Sequence, residues 1–236
     1  MTEKHIVSAF DNDLENIQAH IMKMGGLVEE AITDAAQSFY LRDTGLAEKV
    51  RKKDTAIDEL EQLINDEAAT VIALRAPTAI DLRVILSVLK VSANLERIGD
   101  YAKNMAKRTA VLLQMNEIEN AANSLRRLAR EVEDMLSNAL DAYIQRDIEL
   151  AHKVISHDQD VDQMYNGLFR EFLTFMMEDP RNITACMHLH FIAKNIERMG
   201  DHVTSIAEQV IFLKTGEIPL EPRNKADATS GYISEQ

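Results

Sequence analysis

Residues 94–100 read Asn-Leu-Glu-Arg-Ile-Gly-Asp, and residues 195–201 read Asn-Ile-Glu-Arg-Met-Gly-Asp. The two stretches agree at every polar position and at the glycine. The other two positions exchange one large apolar residue for another. Self-similarity at a fixed offset is the mark of a duplicated structural unit. Leu95 and Ile98 are three apart, as are Ile196 and Met199, which is the spacing of a helix with one apolar face. Each copy therefore reads as part of a helix that occurs once in each half of the chain.

Working outward, apolar residues recur at three- and four-residue spacing between the prolines Pro77, Pro180, Pro219 and Pro222. Proline breaks helices because it lacks an amide donor and clashes with the preceding turn. The pattern predicts six long helices, at about 11–40, 46–75, 79–115, 118–145, 148–177 and 182–215. Arg75-Ala76-Pro77-Thr78 and Glu178-Asp179-Pro180 read as turns, and Gly216 as a helix C-cap. The fold expected is all-α: two tandem, pseudo-symmetric three-helix bundles over 1–116 and 117–216. No Gly/Ser-rich spacer separates them, so a shared hydrophobic seam is expected. Residues 217–236 are polar and read as a poorly ordered tail.

Composition agrees with helices. Aromatic residues are 5% of the 236, Trp is absent, and there are only 8 Gly. The formal net charge is −13, a poor balance for a general nucleic-acid binder, although a local basic patch stays open. The one cysteine, Cys186, fits a reducing compartment and reads as a small buried residue. No apolar run approaches the roughly 18 residues of a membrane span, and the N-terminal stretch carries acids where a signal peptide has its apolar core. A cytoplasmic protein is expected.

The repeat also carries chemistry. Glu96 and Asp100 lie four apart, as do Glu197 and Asp201, so each pair shares a helix face. Asp54 and Asp58 on the second helix correspond to Asp158 and Asp162 on the fifth. If the registers match, four carboxylates converge in each half, on the flank of the bundle. With 39 acids in the chain, roughly six such pairs arise without pattern, so a single pair carries no weight. The duplication is what points to cations. Oxygen-only ligands suit magnesium, manganese, calcium or iron better than zinc or copper. Gly99 and Gly200 read as close-packing positions, and Asn94 and Asn195 as hydrogen-bonding partners of a neighbouring helix. His157 and His202 read as surface residues, and His188 and His190 as structural. Glu61 extends the first aspartate stripe, where Tyr165 stands in the second half. No phosphate loop, nucleophile elbow or His-Glu-x-x-His is present, so nothing marks an enzyme.

These motifs, together with Pro-Thr-Ala-Ile-Asp-Leu-Arg at 77–83 and Leu-Thr-Phe-Met-Met-Glu-Asp-Pro at 173–180, resemble the PhoU family of phosphate-transport accessory proteins. The resemblance spans about residues 4–216. It implies two three-helix bundles, a homodimer, and a negative regulator of the phosphate-starvation response. It implies two partners: the ATPase subunit of a phosphate ABC transporter and a sensor histidine kinase. Membrane association would then come through those partners. It also implies metal clusters, iron and zinc among them, on Asp54, Asp58, Glu96, Asp100, Asp158, Asp162, Glu197 and Asp201. The competing expectation is a carboxylate-bridged metal-binding or metal-storage protein, and a third is a purely structural scaffold.

Overall fold

The structure is a computed structural model that describes residues 2–218, and the side chains from residue 10 onward. The tail expected at 217–236 therefore falls outside the described residues from 219 on. Six long helices follow one another: α1 (Thr2–Tyr40), α2 (Thr44–Arg75), α3 (Ala79–Leu112), α4 (Ala121–Gln145), α5 (Ile148–Glu178) and α6 (Ile183–Thr215). A single 3₁₀ turn (Pro180–Asn182) precedes α6. No strand occurs among the described residues.

Helices α1–α3 form one three-helix bundle and α4–α6 the other. The bundles meet along α3 against α6 and α1 against α4. One continuous apolar core runs through both halves, as the absence of a spacer predicts. Leu95, Ile98, Ile196 and Met199, the apolar residues of the repeated motif, are all fully buried in it. Asn94 meets His202, and Arg108 meets His188, so α3 and α6 run antiparallel. The two motif copies thus lie side by side at the middle of this contact, related by an approximate twofold axis.

The ends of the helices have local causes. Asp43 accepts hydrogen bonds from the amides of Gly45 and Leu46 at 2.8 and 3.0 Å and starts α2. Asp147 does the same for α5, accepting from Leu150 at 3.0 Å. Arg42 and Arg146, just before these caps, both take positive φ, 56° and 55°. Residues 42–50 and 146–154 share Arg-Asp-x-x-Leu-Ala-x-Lys-Val, a second internal repeat that the reading of apolar spacing passed over. Gly216 closes α6 in the left-handed region at φ 83°, as expected.

Three expected bounds shift. Helix α3 stops at Leu112 rather than near 115, and α4 starts at Ala121 rather than near 118. Arg42 donates to the Leu113 carbonyl at 3.3 Å and so satisfies one of the carbonyls left open at the end of α3. Ile118 is buried in the intervening loop, which gives it an apolar-periodic look without helical backbone. Helix α1 begins well before the position near 11 that its apolar stripe marks.

Candidate functional site

Each bundle places its carboxylate pairs on two helices in direct contact, α2 with α3 and α5 with α6. The repeated glycines allow that contact. A Cβ at Gly99 would sit 2.9 Å from Ile57 Cδ1 and 3.9 Å from Asp54 Oδ1. A Cβ at Gly200 would sit 3.0 Å from Asp158 Oδ1. Both glycines thus bring the motif helix close against an aspartate-bearing helix. This is the packing role read from the sequence, and it also sets the site's geometry.

In the first half Asp54 is 5% exposed, whereas Asp58 is exposed and Glu96 and Asp100 are half-buried. Lys103, one turn beyond the motif on α3, donates from Nζ to Asp54 and, at 3.3 Å, to Asp100 Oδ1. Burial raises the Asp58 carboxyl, and the charges of Asp54 and Asp100 raise it further against the pull of Lys103. Glu96 is pushed up to about 7 by burial, then by Asp100 and Glu61, with Arg97 opposing. The Arg97 Nε lies 3.6 Å from Glu96 Oε2, and its side chain is otherwise exposed. The four predicted residues, with Glu61 beside them, therefore share one electrostatic neighbourhood with an excess of negative charge.

In the second half Asp158, Asp162 and Glu197 are all buried, and Asp201 is half-buried. The carboxylates are expected on the flank of the bundle; Asp58 alone is exposed, and four of the eight are buried because α3 and α6 approach their neighbours so closely. Lys194 Nζ lies 2.9 Å from Glu197 Oε1 and 4.9 Å from the centre of the Tyr165 ring. Tyr165, where the first half has Glu61, is buried beneath it. His157 turns to Glu131 at 3.0 Å and to Asp160 at 3.6 Å. His202, read as a surface residue, is half-buried and bonds Asn94 across the twofold contact at 2.8 Å. Its ring also packs against Tyr101, with centroids 5.7 Å apart. Cys186 is buried and its thiol is pushed up by that burial.

The residues sequence reasoning missed are Lys103 and Lys194. They occupy unrelated places in the repeat, where Thr204 and Ala93 stand in the other copy. Each puts an ammonium against carboxylates of its own half. Among the described residues, no three His, Cys, Asp or Glu side chains stand in an arrangement that could hold a metal ion. The donor chemistry nonetheless suits a hard cation: oxygen atoms only, and more negative charge than one lysine offsets.

Comparison with known proteins follows the same outline. The PhoU domain model matches residues 21–109 and again 125–210. A phosphate-specific transport system accessory protein PhoU homolog of Rhizobium meliloti is 44% identical over 230 residues, covering 98% of this chain and 97% of that protein. The homolog of Caulobacter vibrioides is 43% identical over 230 residues, with 98% and 100% covered. The crystal structure of PhoU from Pseudomonas aeruginosa superposes with a TM-score of 0.85 at 39% identity, covering 88% of this chain and all of that one. That of the phosphate transport system regulatory protein PhoU from Streptococcus pneumoniae gives 0.81 at 29% identity, covering 89% and 98%. With two copies of the domain and relatives matched almost end to end, this chain belongs to the PhoU family.

Proposed function

We propose that this chain is a non-enzymatic regulatory adaptor of phosphate transport. It couples a phosphate ABC transporter, through the ATPase subunit, to a sensor histidine kinase, and represses the phosphate-starvation response when phosphate is plentiful. The observation that carries the reading is the near end-to-end match to proteins named as accessory to phosphate-specific transport. The long, paired bundles suit an adaptor, since they offer extended helical faces on two sides of one rigid core. We place it in the cytoplasm as a homodimer that reaches the membrane through its partners. Among the described residues no helix is long and apolar enough to cross a membrane.

Asp54, Asp58, Glu96 and Asp100 would have to turn together to hold a cation in the first half, and Asp158, Asp162, Glu197 and Asp201 in the second. Iron, zinc, manganese and magnesium are the candidates. A bound ion would supply the positive charge that ties α2 to α3 and α5 to α6. Lys103 and Lys194 act as internal counter-ions in its absence, and their flexible stems let them yield the place. Below about pH 7 Glu96 holds a proton that binding would release.

The test is genetic. A strain deleted for this gene and carrying a phosphate-starvation reporter should express it in phosphate-rich medium, and the intact gene should restore repression. Unchanged repression in the deletion strain overturns the reading.

A further inference from the structure

The α3–α6 contact ends, toward the start of α6, in an arginine that meets no carboxylate among the described residues. Arg108 of α3 is half-buried, and among the described residues no carboxylate pairs with it. Its Nε is buried without a hydrogen-bond partner. Its Nη1 donates to His188 Nδ1 at 3.1 Å, and its guanidinium lies over Phe191 at 4.5 Å from the ring centre. Burial alone depresses its basicity, and no neighbouring acid offsets this. A partly desolvated guanidinium without an anion is costly to keep.

Beside it runs an apolar stripe on α6. Ile183, Met187 and Phe191 follow at intervals of four and are 46%, 40% and 43% exposed. That places three large apolar side chains on one face over about 12 Å. A stripe of this kind, ending at an arginine, has the composition of an interface core.

The duplication sharpens the point. The positions equivalent to Ile183, Met187 and Phe191 in α3 are Leu82, Leu86 and Lys90, so a charge interrupts the stripe there. The position equivalent to Arg108 is the buried Gln209. The half-repeat preserves the carboxylate pairs and departs here, so the feature belongs to one end of the molecule and is not a by-product of the fold.

We propose that this stripe docks an amphipathic helix of a partner protein, with large apolar residues at four-residue spacing and an aspartate or glutamate that reaches Arg108. Two further occupants fit the chemistry less well. A membrane surface would meet a chain of net charge −13, which anionic headgroups repel. A small anion would leave the apolar stripe uncovered. The helix satisfies both parts at once: apolar anchors cover the stripe, and the carboxylate supplies the bidentate acceptor that a guanidinium takes best.

The probe is a labelled 16-residue helical peptide with leucines at i, i+4 and i+8 and a glutamate one turn beyond either end of that stripe. Fluorescence polarisation is read against the full chain. One of the two peptides should bind at least ~10-fold more tightly than its glutamine counterpart. Arg108→Gln should erase that preference, and Phe191→Glu should abolish binding of both, while circular dichroism and melting stay near wild type. No binding, equal binding of the glutamate and glutamine peptides, or binding unmoved by Phe191→Glu overturns the proposal. So does conversion of a dimer to a monomer by Phe191→Glu in light scattering, which would assign the face to a second copy. Sedimentation with neutral phosphatidylcholine vesicles that Phe191→Glu abolishes would assign it to lipid and likewise overturns it.

Discussion

Lys103 reaches from α3 to Asp54 on α2 and also holds Asp100 of its own helix at 3.3 Å. It closes the first carboxylate cluster around an ammonium group. Asp54 is the most buried carboxylate of that half, so the pair is worth more than a surface bridge. Lys103→Met should therefore destabilise the metal-free protein by about 1–2 kcal/mol, a loss of several degrees in melting temperature. The same variant should bind a divalent ion more tightly, because the competing cation is gone. Calorimetry with and without added metal checks both signs.

Glu96 predicts a pH dependence. Its folded-state pKa is about 7, against 4.5 for the unperturbed group. A raised carboxyl means that the folded state holds its proton while the unfolded state has lost it. Stability is then unaffected below about pH 4.5, falls as the pH rises to about 7, and is flat beyond. Glu96→Gln removes this penalty. The variant should gain little at pH 4 and, once the shift is discounted for the water that screens this half-buried group, roughly 2 kcal/mol at pH 8 in the absence of metal. Denaturant melts at the two pH values measure it.

The paired caps should behave alike. Asp43→Ala and Asp147→Ala should each cost about 1 kcal/mol, since each leaves the first amides of a long helix without an acceptor. Asp43 satisfies two amides and Asp147 one, so the first loss should be the larger. Urea denaturation midpoints give the comparison.

Cys186 should be inert. It is buried and its thiol is held above the usual range. A thiol reagent should react only on unfolding, and reaction of the native protein at the rate of a free thiol would contradict the packing described.

Much of this was legible in the residues because duplication doubles every signal. Leu95 and Ile98 with Ile196 and Met199 mark the same core face twice, and the two early proline turns separate helices cleanly. The caps at Asp43 and Asp147 were also written twice, but apolar periodicity does not register a hydrogen bond from a side chain to an amide. Ile118 misled for the opposite reason: a buried apolar residue in a loop mimics helical spacing. The lysines at the site were illegible because Lys103 and Lys194 come from different positions in the repeat. Their roles depend on which turn of α3 or α6 faces the aspartates, a matter of helix packing rather than of pattern. The burial of Asp158 and Glu197 follows from the close approach that Gly200 permits; the repeated glycine announces close packing, but not which acids that packing buries.

We propose that the duplicated carboxylates hold cations. It is tested most directly by metal content and thermal stability measured together on untagged protein. Wild type should retain iron, zinc, manganese or magnesium and melt higher when loaded. A Glu96→Ala/Asp100→Ala/Glu197→Ala/Asp201→Ala variant should retain none and show no metal-dependent shift. Metal-free wild type that no added cation stabilises, with a variant equally or more stable through relieved repulsion, would contradict the claim.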